Sequence, residues 1–121
     1  MDIYSKLTGS GSITFTGNGT NVLIASSSDF TGNMTLNGGT TIWSNKCMQA
    51  TSDLIFTNAP TKLILAFNET NTIRKLIVNG VIQNAAVYNS ANLPAGVTIA
   101  GTGAVSTMEG PPATGIVLII E

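Results

Sequence analysis

Apolar residues recur at every second position. Ile13 and Phe15, Val22 and Ile24, Met34 and Leu36, Leu54 and Phe56, Leu63 and Leu65, and Leu76 and Val78 form pairs two apart, with Thr, Ser or Asn between or beside them. In extended backbone successive side chains point to opposite faces, so this period puts each pair on one face and predicts short, half-buried strands. Turn chemistry separates them. Asn18-Gly19, Asn37-Gly38-Gly39 and Asn79-Gly80 tolerate positive φ, and Pro60 and Pro94 stand where the chain leaves a strand. No 3.6-residue pattern competes. Ala85 to Leu93, ahead of Pro94, is shorter than the ~12 residues that propensity needs to sustain a helix and reads as a loop. The pattern predicts an all-β chain.

The strand-turn-strand unit also repeats. Residues 11–25 lie over residues 52–66 without a gap, Ile13 on Leu54, an offset of 41 residues, and Met34–Leu36 lie over Leu76–Val78 at an offset of 42. A third, partial copy places Val97 on Ile13 at an offset of 84. Self-similarity with a period of about 20–50 residues marks solenoids, propellers and arrays. The expected organisation is a repeat domain over residues 1–109, with copies at about 11–51, 52–94 and 95–107, followed by a tail over residues 110–121. A β-solenoid with two coils of about 20 residues per copy is preferred to a β-sandwich or jelly roll, because equivalent strands recur with the same facing. Such stacking puts Ile13, Leu54 and Val97 in one interior column, and Phe15, Phe56 and Ile99 in the next.

Composition narrows the function. Only 9% of the 121 residues are charged and the net charge is −1. Soluble surfaces usually carry about 25–35% charged residues, so few groups here hold the chain apart from neighbours and self-association is expected. Lys6, Lys46, Lys62, Arg74 and Lys75 are scattered, with no stripe to neutralise a run of phosphates, which argues against a nucleic-acid partner. Cys47 is the single cysteine and histidine is absent, so no internal disulfide, metal site or cofactor is expected. The thiol reads as a small packed hydrophobe. No secretory signal pattern opens the chain and no run approaches the ~20 apolar residues of a membrane helix. Either it is a piece of a longer secreted protein or a complete product that reaches its place by assembly.

Leu7-Thr8-Gly9-Ser10-Gly11, Phe30-Thr31-Gly32 and Leu36-Asn37-Gly38-Gly39-Thr40 resemble the autotransporter-associated β-strand repeat, with its Gly-rich strand start, aromatic-Thr-Gly turn and apolar-x-Gly-Gly-Thr strand pair. Ile73 to Gly80, Tyr88 to Pro94 and Gly101-Thr102-Gly103 look like the closing unit of such an array. The resemblance implies a right-handed parallel β-helix in a surface-exposed, mostly non-enzymatic bacterial protein.

Catalytic chemistry finds little material. Asp29, Asp53, Glu69 and Glu109 stand singly among Ser, Thr and Asn and read as solvated turn acids rather than a glycosidase pair. Without histidine, a Ser-His-Asp or Cys-His nucleophile is excluded. Gly9-Ser10-Gly11 and Gly17-Asn18-Gly19 lack the following Lys-Ser/Thr or helix of a phosphate loop and read as turns. Thr14 and Thr16 hint at the Thr arrays of ice-binding solenoids, but Ile55 and Thr57 interrupt the array in the second copy.

After the rigid Gly110-Pro111-Pro112 linker, the uncharged run Ile116, Val117, Leu118, Ile119 and Ile120 reads as a strand needing cover on both faces. It suits the last strand of its own core or an assembly strand added to a neighbour's sheet edge. The expected function is a non-enzymatic structural subunit of a larger assembly at a virion surface, such as a phage capsid decoration or fibre. The alternative is a module of a bacterial autotransporter passenger or adhesin at the cell surface.

Overall fold

A computed structural model describes residues 2–3, 8–24, 30–57, 61–94 and 96–111, the first pair as backbone alone. The described residues are all-β, with no helix. The strands are β1 (Asp2–Ile3), β2 (Ile13–Thr16), β3 (Thr20–Leu23), β4 (Met34–Asn37), β5 (Thr40–Trp43), β6 (Asp53–Thr57), β7 (Thr61–Leu65), β8 (Thr70–Ile73), β9 (Lys75–Val78), β10 (Val81–Ile82), β11 (Val87–Tyr88), β12 (Val97–Gly101) and β13 (Ala104–Thr107). They form three open sheets, ordered β1-β3-β5-β7-β12, β10-β9-β6-β4-β2 and β11-β13-β8. All pairings are parallel except β10 on β9 and β11 on β13. No helix here is long and apolar enough to cross a membrane.

The ladder registers explain the sequence repeat. In the second sheet Ile13 pairs with Met34, Met34 with Leu54 and Leu54 with Leu76, in steps of 21, 20 and 22 residues. Two successive steps therefore give the 41- and 42-residue offsets. In the first sheet Thr20 pairs with Thr40 and Thr40 with Lys62, steps of 20 and 22. The alternation decides what is buried. Met34, Leu36, Leu54, Phe56, Leu76 and Val78 face inward from the second sheet and meet Leu23, Trp43, Leu63 and Leu65 of the first, and Ile73 and Val105 of the third, in one core. The Phe15 column runs through Leu36, Phe56 and Val78, with Phe15 and Phe56 in the same sheet on either side of β4.

One placement is corrected. Val97 does not join the Ile13 column: it pairs with Thr61 in the first sheet, and Ile99 pairs with Leu63 rather than stacking over Phe56. The step from Thr61 to Val97 is 36 residues because β10 and β11 intervene. Asn79 at φ 49 and Gly80 at φ 82 turn the chain back so that Val81 faces Val78. That is the two-residue reversal Asn-Gly favours, since both central residues need positive φ. The stretch from Ala85 to Leu93 is non-helical, as expected, but carries β11.

Candidate functional site

Polar side chains gather at two places inside this framework. At the first, Asp53 opens β6 with only 6% of its surface exposed. Its carboxylate accepts two hydrogen bonds from Arg74, Nε at 2.8 Å and Nη2 at 2.6 Å. The backbone fixes this geometry. The Asp53 N–H donates to Asn33 Oδ1 at 2.9 Å, the Arg74 N–H donates to the Ser52 carbonyl at 2.8 Å, and the Glu109 N–H donates to the Arg74 carbonyl at 2.9 Å. Three successive passes of the chain are thus tied together at Arg74. The hydrogen bonds and charge of Asp53 push the guanidinium pKa above its ordinary value, with a smaller contribution from Glu109.

Asp53 is accordingly not the solvated turn acid expected from the sequence. Arg74, the residue before its ladder partner Lys75, stands beside it, and the cation compensates a carboxylate that could not otherwise leave water. Glu69 and Glu109 are exposed, and Glu69 approaches Lys46 only to 3.7 Å, with both side chains in solvent, a pairing of little worth. Asp29 lies outside the described residues. We expect Arg74→Ala to lower the melting temperature by several degrees by stranding the Asp53 carboxylate. Glu69→Gln should stay within about 0.5 kcal/mol of the parent, as surface changes do. Thermal melts of the two variants check this, and equal effects would mean that the Asp53–Arg74 pair is not formed.

The second place is Asn71, on the inward face of β8 beside Ile73 and 2% exposed. Its Oδ1 accepts the N–H groups of Cys47 at 2.9 Å and Met48 at 3.1 Å, and its Nδ2 donates to the Met48 carbonyl at 2.9 Å and the Thr72 carbonyl at 3.3 Å. The amide side chain therefore does for the 47–48 backbone what a neighbouring strand does elsewhere. Beside it lies a surface depression of about 340 Å³, lined by Lys46, Gln49, Thr70 and Thr72 among others. The most buried polar group in its wall, Asn71, is engaged with backbone. Sequence reading passed over Asn71, although its two-residue spacing from the apolar Ile73 was the available signal.

Cys47 is fully buried, and desolvation pushes its thiol well above the ordinary 9.0. A thiol whose folded pKa is raised contributes stability that is complete below the unfolded value and is lost as pH rises past it. Stability should therefore decline above about pH 9. At neutral pH Cys47 should resist alkylation until the protein is denatured. Rapid labelling of the native chain would contradict this burial.

Among the described residues no group of three or more Cys, Asp or Glu side chains converges as a metal site. The expected assembly residues Ile116, Val117, Leu118, Ile119 and Ile120 lie outside the described residues. Comparison with protein families, with characterised proteins and with solved structures found no match.

Proposed function

We propose that the chain is a non-enzymatic structural protein, a right-handed parallel β-helix of a few coils, that serves as a subunit of a larger assembly. The carrying observation is the ladder cadence: from β6 the chain visits the first sheet at β7, the third at β8 and returns to the second at β9, 22 residues after Leu54. One circuit per ladder step is the path of a solenoid, and right-handed crossovers are the rule between parallel strands. The non-enzymatic reading is supported by two buried polar groups that are tied up within the fold, Asp53 by Arg74 and Asn71 by backbone. The low charge of the chain suits a surface with permanent neighbours.

The setting we propose is a virion surface, as a capsid decoration or fibre subunit, with a bacterial passenger or adhesin module as the alternative favoured by the repeat motifs. An antibody against the chain separates them in native material. A virion subunit is detected in purified particles. A passenger module migrates as a much longer polypeptide in the cell-surface fraction. Detection solely as a free monomer in neither fraction would contradict both.

A further inference from the structure

We infer that the free edge of β12 is the docking site of the chain's own residues 117–120, which lie outside the described residues and add there as the next parallel rung of the first sheet; this rests on the coil path proposed above. The second and third sheets end in reversed strands, β10 on β9 and β11 on β13. The first sheet ends at β12, whose one hydrogen-bonded neighbour among the described residues is β7. The ladder shows which groups are left over. The N–H groups of Lys62 and Ala66 donate to the carbonyls of Gly39 at 3.0 Å and Trp43 at 2.8 Å, towards β5, so β7 meets β12 through Thr61, Leu63 and Leu65. In a parallel ladder Leu63 then bonds Thr98 and Ala100, the residues flanking its partner Ile99, and the Ile99 amide points to the free edge.

The cadence of the coils selects the occupant. β3, β5 and β7 begin 7, 6 and 8 residues after β2, β4 and β6, the second-sheet strands before them, and β9 begins 5 residues after β8. Counted on from Ala104, where β13 pairs with Thr70 of β8, the same intervals return the chain to the first sheet at residues 115–117. The uncharged run Ile116 to Ile120 starts there. Facing agrees as well. The steps along the first sheet, from Asp2 to Val22, Ile42, Ile64 and Ala100, are 20, 20, 22 and 36 residues, all even, so each new rung keeps the inward and outward sets of the last. A further step of 20 sets Val117 and Ile119 over the inward Val97 and Ile99, and Ile120 over the half-buried outward column that ends at Ala100.

The tether favours this chain over any other. The Glu109 N–H donates to the Arg74 carbonyl at 2.9 Å, which holds the chain at the corner that opens the second sheet at β9. The five residues 111–115 reach ~17 Å, more than the ~13 Å of a four-residue strand. β10 already holds the place beside β9, and Pro111 and Pro112, lacking N–H groups, suit a connector that passes it without pairing. A segment on so short a linker meets its site at an effective concentration on the order of millimolar, ahead of a strand from a second molecule. The run then completes the subunit's own coil and is not its link to a neighbour.

NMR on the full-length chain tests the inference. The Ile99 amide should exchange slowly at every protein concentration, and the side chains of Val97 and Ile99 should contact those of Val117 and Ile119. Ile119→Asp puts a charge on the inward face and should speed exchange at Ile99 about tenfold or more, as loss of an edge hydrogen bond does. Leu118→Asp, on the outward face over the exposed Thr98, should leave that rate within about twofold. The contacts in the parent decide the matter even where Ile119→Asp fails to fold. In a mixture of isotope-labelled and unlabelled chains they should stay within one chain, and contacts between chains would mean that the strand is donated to a neighbour. That result would overturn the inference, as would fast exchange at Ile99 in the parent or equal effects of the two substitutions. With Ile99–Leu63 contacts present the coil path would survive such a failure, and their absence would overturn both.

Discussion

Replacing Gly101 with alanine should destabilise the protein by about 3 kcal/mol or more. Gly101 ends β12 at φ +91, a left-handed conformation that costs a non-glycine residue ~1–3 kcal/mol by itself. Space is the second cost. A Cβ there would stand 2.2 Å from the Leu65 carbonyl oxygen and 2.8 Å from its carbon, backbone atoms of the strand on which β12 is stacked. No flexible side chain can yield, because that carbonyl already accepts the Gly103 N–H at 3.1 Å and Leu65 is fully buried in the core. Against a typical total of ~5–15 kcal/mol, the expected fall in melting temperature is roughly 10 °C or more. Gly19→Ala is the control: φ is not left-handed, nothing lies within 4 Å, and the change should stay within ~1 kcal/mol. Coincident melts for the two variants would mean that β12 does not stack on β7 as described.

Asn71→Leu should be comparably severe, for a different reason. The substitution keeps the approximate volume but removes the acceptor for the buried Cys47 and Met48 amides and the donor to the Met48 carbonyl. Each buried backbone group left without a partner costs ~1–3 kcal/mol, so the two amides alone account for ~2–6 kcal/mol. The loss is local before it is global. The segment around Cys47 should open first, and alkylation of its thiol should accelerate well below the melting temperature. An Asn71→Leu variant whose thiol stays as protected as the parent's would show that the amide network is dispensable.

The strands of the core were legible because alternation and burial coincide. The pairs at Ile13, Met34, Leu54 and Leu76 announce both their strands and their inward face, and Asn79-Gly80 announces its reversal. Val97 was misplaced because Val97-Thr98-Ile99-Ala100-Gly101 repeats the apolar-x-apolar-x-Gly pattern of Ile13-Thr14-Phe15-Thr16-Gly17 although it lies in the other sheet, so self-similarity alone cannot tell which sheet a new copy enters. Asp53 was misread because its partner, Arg74, lies 21 residues away. That separation has no meaning until the ladder step is known, and a lone acid among Ser and Thr otherwise reads as exposed. Asn71 fails in the opposite direction: a polar residue at an inward position looks like a break in the pattern, although its four hydrogen bonds make it part of the core.

The stacked-coil account is tested most directly by cross-strand NMR contacts between β4 and β6. In-register parallel pairing of Leu36 with Phe56, and of Phe56 with Val78, predicts contacts from the Phe56 ring to the methyls of both. It also predicts amide contacts that advance with chain direction from Met34–Leu54 to Leu36–Phe56, with no close Hα–Hα pairs between the strands. Close Hα–Hα pairs between β4 and β6, or Phe15 and Phe56 on facing sheets of a sandwich, would contradict it.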